Sequence, residues 1–295
     1  MKVAIFGISG QLGRDVAAAL SSHTVVSFEH DRVDIRDDGA TSTVVRDAAP
    51  DWVINCAAMT NVDGCESDPL AAFAANALGT RNVARATTLS GARLLQISTD
   101  YVFDGARSEP YLEDDLPHPI NIYGMSKLAG EWAVRAEGAR HVVVRTSGLY
   151  GLNVCRGKGT NFVETILARA GAGGPLRVVA DEVLTPTFTR DLATQLRALI
   201  ERDAPPGVYH ATNTGACSWF EFAGEIVRRS GLATRVEPIR ADEWKSPVRR
   251  PRYSVLENRA LSSLGMDLMP DWRDALGRYL AGRPARTEAT RSKNP

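Results

Sequence analysis

The sequence lacks the features that mark several large classes of protein. It carries no net charge, because Lys and Arg together number 35 and Asp and Glu together also number 35. This balance predicts neither a basic surface for nucleic acid nor an acidic tail. No apolar stretch approaches the ~20 residues that a membrane-spanning helix requires. We therefore expect a protein that binds neither nucleic acid nor a membrane.

Cysteine is also scarce, with four residues in 295: Cys56, Cys65, Cys155 and Cys217. They follow no metal-ligand spacing, and a chain of this length needs no disulfide bonds for stability. We interpret them as buried thiols. The apolar run at residues 3–6 is too short for the core of a signal peptide and is more typical of a strand. We expect a cytoplasmic protein, and the sequence assigns no residues to a metal site.

The first half of the chain alternates short apolar runs with helical patterns. Strands are predicted at residues 3–6, 25–28, 52–55, 93–98 and 141–145, and helices at 12–20, 41–48, 70–88 and 123–136. Brief apolar runs rich in β-branched residues, separated by crossover helices, are typical of buried parallel strands. The order predicts an α/β fold with a doubly wound parallel sheet of the Rossmann type.

After residue 150 the pattern becomes less regular, with glycine-rich stretches, clustered prolines, and helices predicted at 161–170, 190–200 and 219–229. We expect residues 1–150 to form a dinucleotide-binding core. Residues 151–285 are predicted to form mainly a smaller C-terminal substrate lobe, with segments that return to the core. Residues 286–295 are polar and unpatterned, which indicates a disordered tail.

Three glycines, Gly7, Gly10 and Gly13, follow the first predicted strand and begin the first helix. Glycine tolerates the backbone angles of such a tight turn and lets a diphosphate approach the backbone. The N–H groups and the dipole at the start of the helix then bind the anion. The position of the turn, at the first βα junction, predicts a dinucleotide cofactor.

The type of cofactor depends on the end of the second strand, where an acidic side chain accepts hydrogen bonds from the ribose of NADH. Glu29 and Asp31 both lie at the expected distance in sequence. His30 and Arg32 lie beside them, and a cation there favours the 2′-phosphate of NADPH. The residues leave the choice between NADPH and NADH open.

Tyr123 and Lys127 stand four residues apart on a predicted helix and therefore face the same way. Reduction of a ketone needs a proton for the developing alkoxide, and a tyrosine supplies it if a nearby cation lowers its pKa. Thr99, after the fourth strand, is the preferred hydrogen-bond donor to the substrate carbonyl, with Ser98 as the alternative. Such hydroxyls lie where open α/β sheets bind ligands.

The chain resembles the dTDP-4-dehydrorhamnose reductase family of extended short-chain dehydrogenases. The matching motifs are GISGQLG from Gly7, NCAAMTNVDGCE from Asn55, STDYVFDG from Ser98, NIYGMSKLAGE from Asn121, NFVETIL from Asn161, DEVLTPTFTRDLA from Asp181, GVYHATNTGACSWFEFA from Gly207 and RPRYSVL from Arg250. They span residues 1–256 in the family's order. The resemblance implies NAD(P)H-dependent reduction of the 4-keto group of a nucleotide-linked 6-deoxyhexose.

The resemblance also implies roles for individual residues. Thr99, Tyr123 and Lys127 would form the catalytic set, and Asp100 would join Thr99 at the substrate. The cofactor would contact Gly10, Gln11 and Leu12 at its diphosphate, Asp34 and Ile35 near its adenine, and Ala58, Met59 and Thr60 at its centre.

Two details refine the substrate. The family usually has a tryptophan against the sugar where this chain has Gly148, so we expect an altered sugar pocket. The related 4,6-dehydratases have Asp-Glu after the catalytic threonine. This chain has Asp100 followed by Tyr101, which favours plain ketone reduction.

Other interpretations stay open. Some relatives are non-catalytic dinucleotide-binding subunits, such as the β subunit of methionine adenosyltransferase, although the complete catalytic set argues for an enzyme. Another nucleotide-sugar activity, such as epimerisation, uses the same residues. Some family members bind Mg²⁺ at a dimer interface. Bound Mg²⁺ and a homodimer therefore remain open here, although the sequence identifies no carboxylate cluster for the ion.

Overall fold

A computed structural model describes residues 1–138, 140–153, 159–244 and 246–283 of the chain. Its strands are β1 Lys2–Phe6, β2 Thr24–Phe28, β3 Trp52–Asn55, β4 Arg93–Thr99, β5 Val142–Thr146, β6 Leu149–Tyr150, β7 Leu176–Val179, β8 Val183–Leu184, β9 Thr187–Phe188, β10 Gly207–His210, β11 Cys217–Ser218 and β12 Val236–Ile239. Six of them form one parallel sheet in the order β10-β5-β4-β3-β1-β2. The predicted doubly wound α/β fold is confirmed.

The helices are α1 Gln11–Ala19, α2 Asp38–Ala48, α3 Val62–Ser67, α4 Pro69–Phe73, α5 Thr80–Leu89, α6 Ile122–Glu137, α7 Phe162–Gly171, α8 Thr189–Glu201, α9 Trp219–Arg229, α10 Arg259–Ser263 and α11 Trp272–Gly282. The single helix predicted at residues 70–88 is instead divided into α4, a π-helical segment (Ala74–Gly79) and α5. The sequence pattern did not reveal this division, because a six-residue π-helical segment is too short to show its own period in the apolar residues.

The strands of the large sheet are buried on both faces, as their continuous apolar runs predicted. Alternate residues point to opposite sides, so Val3 and Ile5 pack toward α1 and α8. Ala4 and Phe6 pack on the other side, where α2 and α5 lie. These two apolar layers fix the register of the strands and hold their carboxyl ends in one line.

The second half of the chain forms a separate apolar cluster of α7, α9 and α11 with short two-stranded pairings. Tyr150, Phe188, Phe222 and Tyr279 pack their rings together in it. Strand β10 pairs with β5 and so returns to the edge of the large sheet. The predicted tail at 286–295 lies outside the described residues. In the described part, no helix is both long and apolar enough to span a membrane.

Candidate active site

A cleft of about 1150 Å³ opens at the carboxyl ends of β1, β3, β4 and β5. In the sheet order, β2 and β3 lie on either side of β1, which makes the β1/β3 boundary the topological switch point where such sheets bind ligands. The opposite wall comes from α7, β7, β8 and α9. The cleft therefore lies between the six-stranded sheet and the second half of the chain.

The glycine turn lies at the bottom of this cleft and is closely packed. Gly7 has a φ of +74°, and a Cβ there would lie 2.7 Å from the backbone nitrogen of Ala57. A Cβ on Gly13 would lie 2.3 Å from the carbonyl oxygen of Gly7. Gly10 is the N-cap of α1 and provides no side-chain cap. Larger side chains are therefore excluded, and the first-turn N–H groups fit an anionic diphosphate.

The residues predicted to contact the cofactor lie along the same cleft. Its lining includes Gly7, Gly10, Gln11, Leu12, Gly13, Asp34, Ile35, Ala58, Met59 and Thr60. Glu29 is exposed and is not among the lining residues, nor are Asp31 and Arg32.

His30 and Arg36 line the end of the cleft beside Asp34 and Ile35. The Arg36 guanidinium donates to both carboxylate oxygens of Asp34, with Nε–Oδ2 at 2.8 Å, and holds the pKa of that carboxyl below its usual value. The sequence pattern did not indicate Arg36, because the cofactor-selecting residues are expected at the end of the second strand, at residues 29–32. Its position directly after Asp34 and Ile35 was the available signal.

Thr99, Tyr123 and Lys127 meet at the centre of the cleft. Thr99 ends β4, whereas the other two lie in the first turns of α6, whose N-cap Asn121 accepts a hydrogen bond from the Gly124 N–H at 2.9 Å. The Lys127 ammonium is buried and donates to the Ile97 carbonyl oxygen at 2.7 Å. The structure thus brings together the three residues that the motifs single out.

The electrostatics of this trio differ from the simple expectation that Lys127 lowers the pKa of Tyr123. Burial raises the pKa of the Tyr123 phenol, and a hydrogen bond with Thr99 opposes the rise. Burial also lowers the pKa of Lys127 to about 8. Burial sets the direction of both shifts because the two groups are largely removed from water.

Asp100 lies beside Thr99 and is almost completely buried. It accepts hydrogen bonds from Thr99 Oγ1 at 3.0 Å and Ser147 Oγ at 2.8 Å. Burial raises the pKa of its carboxyl, while hydrogen bonds from Ser254, Ser147 and Thr99 act in the opposite direction. Thr146, the last residue of β5, lines the cleft with a buried hydroxyl that has no partner in the structure. A ligand would satisfy that hydroxyl.

Gly148 lines the cleft with a φ of +55°, in the left-handed region that favours glycine. A Cβ at this position would lie 2.7 Å from Leu184 Cδ1 and 3.1 Å from Pro186 Cα. The aliphatic side chain of Leu184 therefore stands where a larger residue would begin. Two aromatic residues of the second half of the chain differ in position: Trp219 lines the cleft, whereas Tyr150 is buried in the second apolar cluster.

The second half of the chain contributes residues that sequence reasoning did not single out. These are Glu182 and Arg250, which both line the cleft. Burial raises the pKa of the Glu182 carboxyl, and the Arg250 guanidinium opposes this effect. Their motifs matched the family, but no spacing rule indicated that they face the cleft. Among the described residues, no group of three or more His, Cys, Asp or Glu side chains forms a potential metal site, so bound Mg²⁺ has no support.

The six-stranded parallel sheet, the glycine turn at its switch point and the Tyr/Lys pair on α6 define an extended short-chain dehydrogenase/reductase. A family model described as the RmlD substrate binding domain matches residues 1–283, and the chain belongs to this family. This confirms the resemblance found in the sequence motifs.

Individual relatives agree with the family match. The chain is 40% identical over 279 residues to a dTDP-4-dehydrorhamnose reductase of Mycolicibacterium smegmatis, covering 93% of this chain and 84% of the relative. It is 39% identical over 284 residues to the Bacillus subtilis spore coat polysaccharide biosynthesis protein SpsK, covering 96% and 98%. A crystal structure of dTDP-4-dehydrorhamnose reductase from Bacillus anthracis in complex with NADP superposes with a TM-score of 0.90, at 39% identity, covering 95% and 98%.

Proposed function

We propose that this protein is an NAD(P)H-dependent reductase of the 4-keto group of a nucleotide-linked 6-deoxyhexose, with dTDP-4-dehydrorhamnose as the family's reference substrate. The observation that carries the proposal is the convergence of Thr99, Tyr123 and Lys127 in the cleft that also contains the glycine turn. The relatives named for this activity, including one solved with NADP, support the same class of reaction.

When bound, the dinucleotide supplies a hydride to the carbonyl carbon. Tyr123 donates the proton that the developing alkoxide requires. The hydroxyl of Thr99, which donates to Asp100 in the free protein, turns to donate to the carbonyl oxygen of the substrate. Lys127 holds positive charge near Tyr123 and stabilises the phenolate that proton donation leaves. Gly10, Gln11 and Leu12 hold the diphosphate at the start of α1. Asp100 orients Thr99 and the sugar.

The identity of the sugar depends on the wall near Gly148. An aromatic ring stacked on a hexose contributes through buried apolar area, typically ~1–3 kcal/mol. Next to Gly148 the chain offers the aliphatic side chain of Leu184, and Trp219 also lines the cleft. We therefore expect dTDP-4-dehydrorhamnose to be reduced with a raised KM, and a bulkier or modified ketosugar to be reduced better. KM values for a panel of dTDP-linked ketosugars test this, and an ordinary family KM for the rhamnose precursor would contradict it.

The reaction itself is tested with the full chain, NADPH and the same panel of ketosugars, by following the loss of NADPH absorbance. Tyr123→Phe is expected to lower turnover by at least ~100-fold while NADPH binding is retained, because only the proton donor is removed. Near-normal turnover in this variant would exclude Tyr123 as the donor. NADPH binding without turnover on any ketosugar would favour the non-catalytic dinucleotide-binding subunit instead.

A further inference from the structure

Helix α6 presents three polar side chains to the end of strand β4. Tyr123, Lys127 and Glu131 stand four residues apart and therefore lie along one face. The first two belong to the proposed catalytic set, whereas the reaction assigns no role to Glu131. Its side chain is only 6% exposed, although glutamate is rarely buried unless it is paired.

Glu131 is held by two neighbouring strands. Arg145 of β5 donates from Nε to Oε1 at 2.9 Å and from Nη2 to Oε2 at 2.8 Å, which is the bidentate geometry of a strong ion pair. Ser98 of β4 donates its hydroxyl to Oε1 at 2.5 Å. Because Lys127 bonds the carbonyl of Ile97, the residue before Ser98, adjacent residues of β4 hold both side chains of the helix.

The charged side chains beyond Lys127 on this face are Glu131 and its partner Arg145. The titratable groups that act on it are Glu131 on its own helix, Cys56 at the end of β3, and Cys65 on α3. Burial raises the pKa of the Cys56 thiol to about 12, so that group is neutral at physiological pH. Glu131 is thus the carboxylate that supports the ammonium. Burial lowers the pKa of Lys127, and the charge of Glu131 acts in the opposite direction.

We propose that Glu131, clamped by Arg145 and Ser98, is a positioning residue that keeps Lys127 in its ammonium form and fixed against strand β4. The consequence of this role of Glu131 for catalysis rests on the proposed function, since Lys127 acts beside Tyr123 in the proposed reaction. Its effect on Lys127 is a property of the folded chain and needs neither substrate nor turnover.

The direct test is an NMR titration of lysine labelled with ¹³C at Cε. The chain has five lysines, and Lys127→Arg identifies the signal of Lys127. Glu131→Gln should move its titration midpoint at least ~1 pH unit lower, the size of effect expected from removing a close opposite charge. Glu131→Asp, which keeps the charge, should restore most of the shift. The matched control is Glu137→Gln, on the same helix but paired with Arg81, which should leave the midpoint unchanged. An equal midpoint in wild type and Glu131→Gln would overturn the proposal.

Glu131→Gln leaves Arg145 buried without its partner and can prevent folding. The double variant Glu131→Gln/Arg145→Met removes both charges and avoids that problem. Its midpoint should still lie below that of wild type, because Lys127 lacks its carboxylate, but by less than in Glu131→Gln, because the Arg145 cation is removed as well. An unchanged midpoint would overturn the proposal.

Activity gives a second readout. If the chain reduces a ketosugar, the alkaline limb of its kcat–pH profile should move to lower pH in the double variant, by the same amount as the NMR midpoint of that variant. An alkaline limb at the same pH as in wild type would overturn the catalytic part of the inference. If wild type reduces no ketosugar, the proposed function fails, while the NMR midpoint still decides the role of Glu131.

Discussion

Gly148 stands where the family usually has a tryptophan, and measurements of stability test whether a side chain fits at this position. The backbone conformation and the neighbouring atoms both disfavour a side chain there. Gly148→Ala forces alanine to adopt a φ of +55°, which costs ~1–2 kcal/mol for an L-residue. The added Cβ would also lie 2.7 Å from Leu184 Cδ1 and 3.2 Å from the Thr185 carbonyl oxygen. Displacing such neighbours typically costs a further ~1–3 kcal/mol.

Gly91→Ala is the matched control. Gly91 follows the C-terminus of α5 with a φ of +75°, and a Cβ there would meet nothing within 4 Å. It therefore carries the backbone cost without the crowding. We expect the free energy of unfolding to fall by ~1–2 kcal/mol in Gly91→Ala and by ~2–5 kcal/mol in Gly148→Ala.

Urea unfolding of both variants, followed by fluorescence and compared with wild type at unchanged m-value, measures the difference. Equal losses in the two variants would refute the reasoning, since they would mean that Leu184 moves aside freely. In that case a single Gly148→Trp substitution could rebuild an aromatic wall. If Gly148→Ala loses more stability than Gly91→Ala, as expected, Gly148→Trp should destabilise the chain as well. The altered sugar pocket then follows from the backbone around residue 148 and not from that one side chain.

Two further predictions concern the cofactor and the buried lysine. Both NADPH and NADH should be used, with a preference below ~10³-fold in kcat/KM. Arg36→Ala should weaken NADPH binding by roughly fivefold relative to NADH, which corresponds to the ~1 kcal/mol of an exposed ion pair between Arg36 and the 2′-phosphate. If dinucleotide fluorescence shows an unchanged ratio of the two dissociation constants, Arg36 does not recognise the phosphate. Lys127→Met should stabilise the fold at pH 7 by up to ~3 kcal/mol, because the pKa of Lys127 falls from 10.5 to about 8 on folding and each unit corresponds to 1.36 kcal/mol. The free-energy cost of burying the Lys127 ammonium is full below pH 8 and decreases as the pH rises toward 10.5. Denaturation of wild type and Lys127→Met should therefore show a smaller stabilisation at pH 10 than at pH 7. A stabilisation that does not depend on pH would contradict the lowered pKa of Lys127.

Much of the site was predictable from local pattern. The glycine turn follows from three glycines at one βα junction, and the pairing of Tyr123 with Lys127 follows from helical spacing. The five core strands were located within one or two residues of their observed bounds, because continuous apolar runs have few alternatives in a buried parallel sheet. The π-helical segment at Ala74–Gly79 left no such signal.

What the sequence by itself determined were the short-range relations: strand order along the chain, the turn, and side chains that share a helix face. Tertiary structure alone decided which distant residues meet. Arg36 reaches the cleft while Glu29 does not, Leu184 stands against Gly148, and Arg145 clamps Glu131 beneath Lys127. The pKa of Tyr123 likewise depends on burial by residues far away in sequence. Desolvation and packing are sums over all neighbours in space, and spacing along the chain carries no record of them.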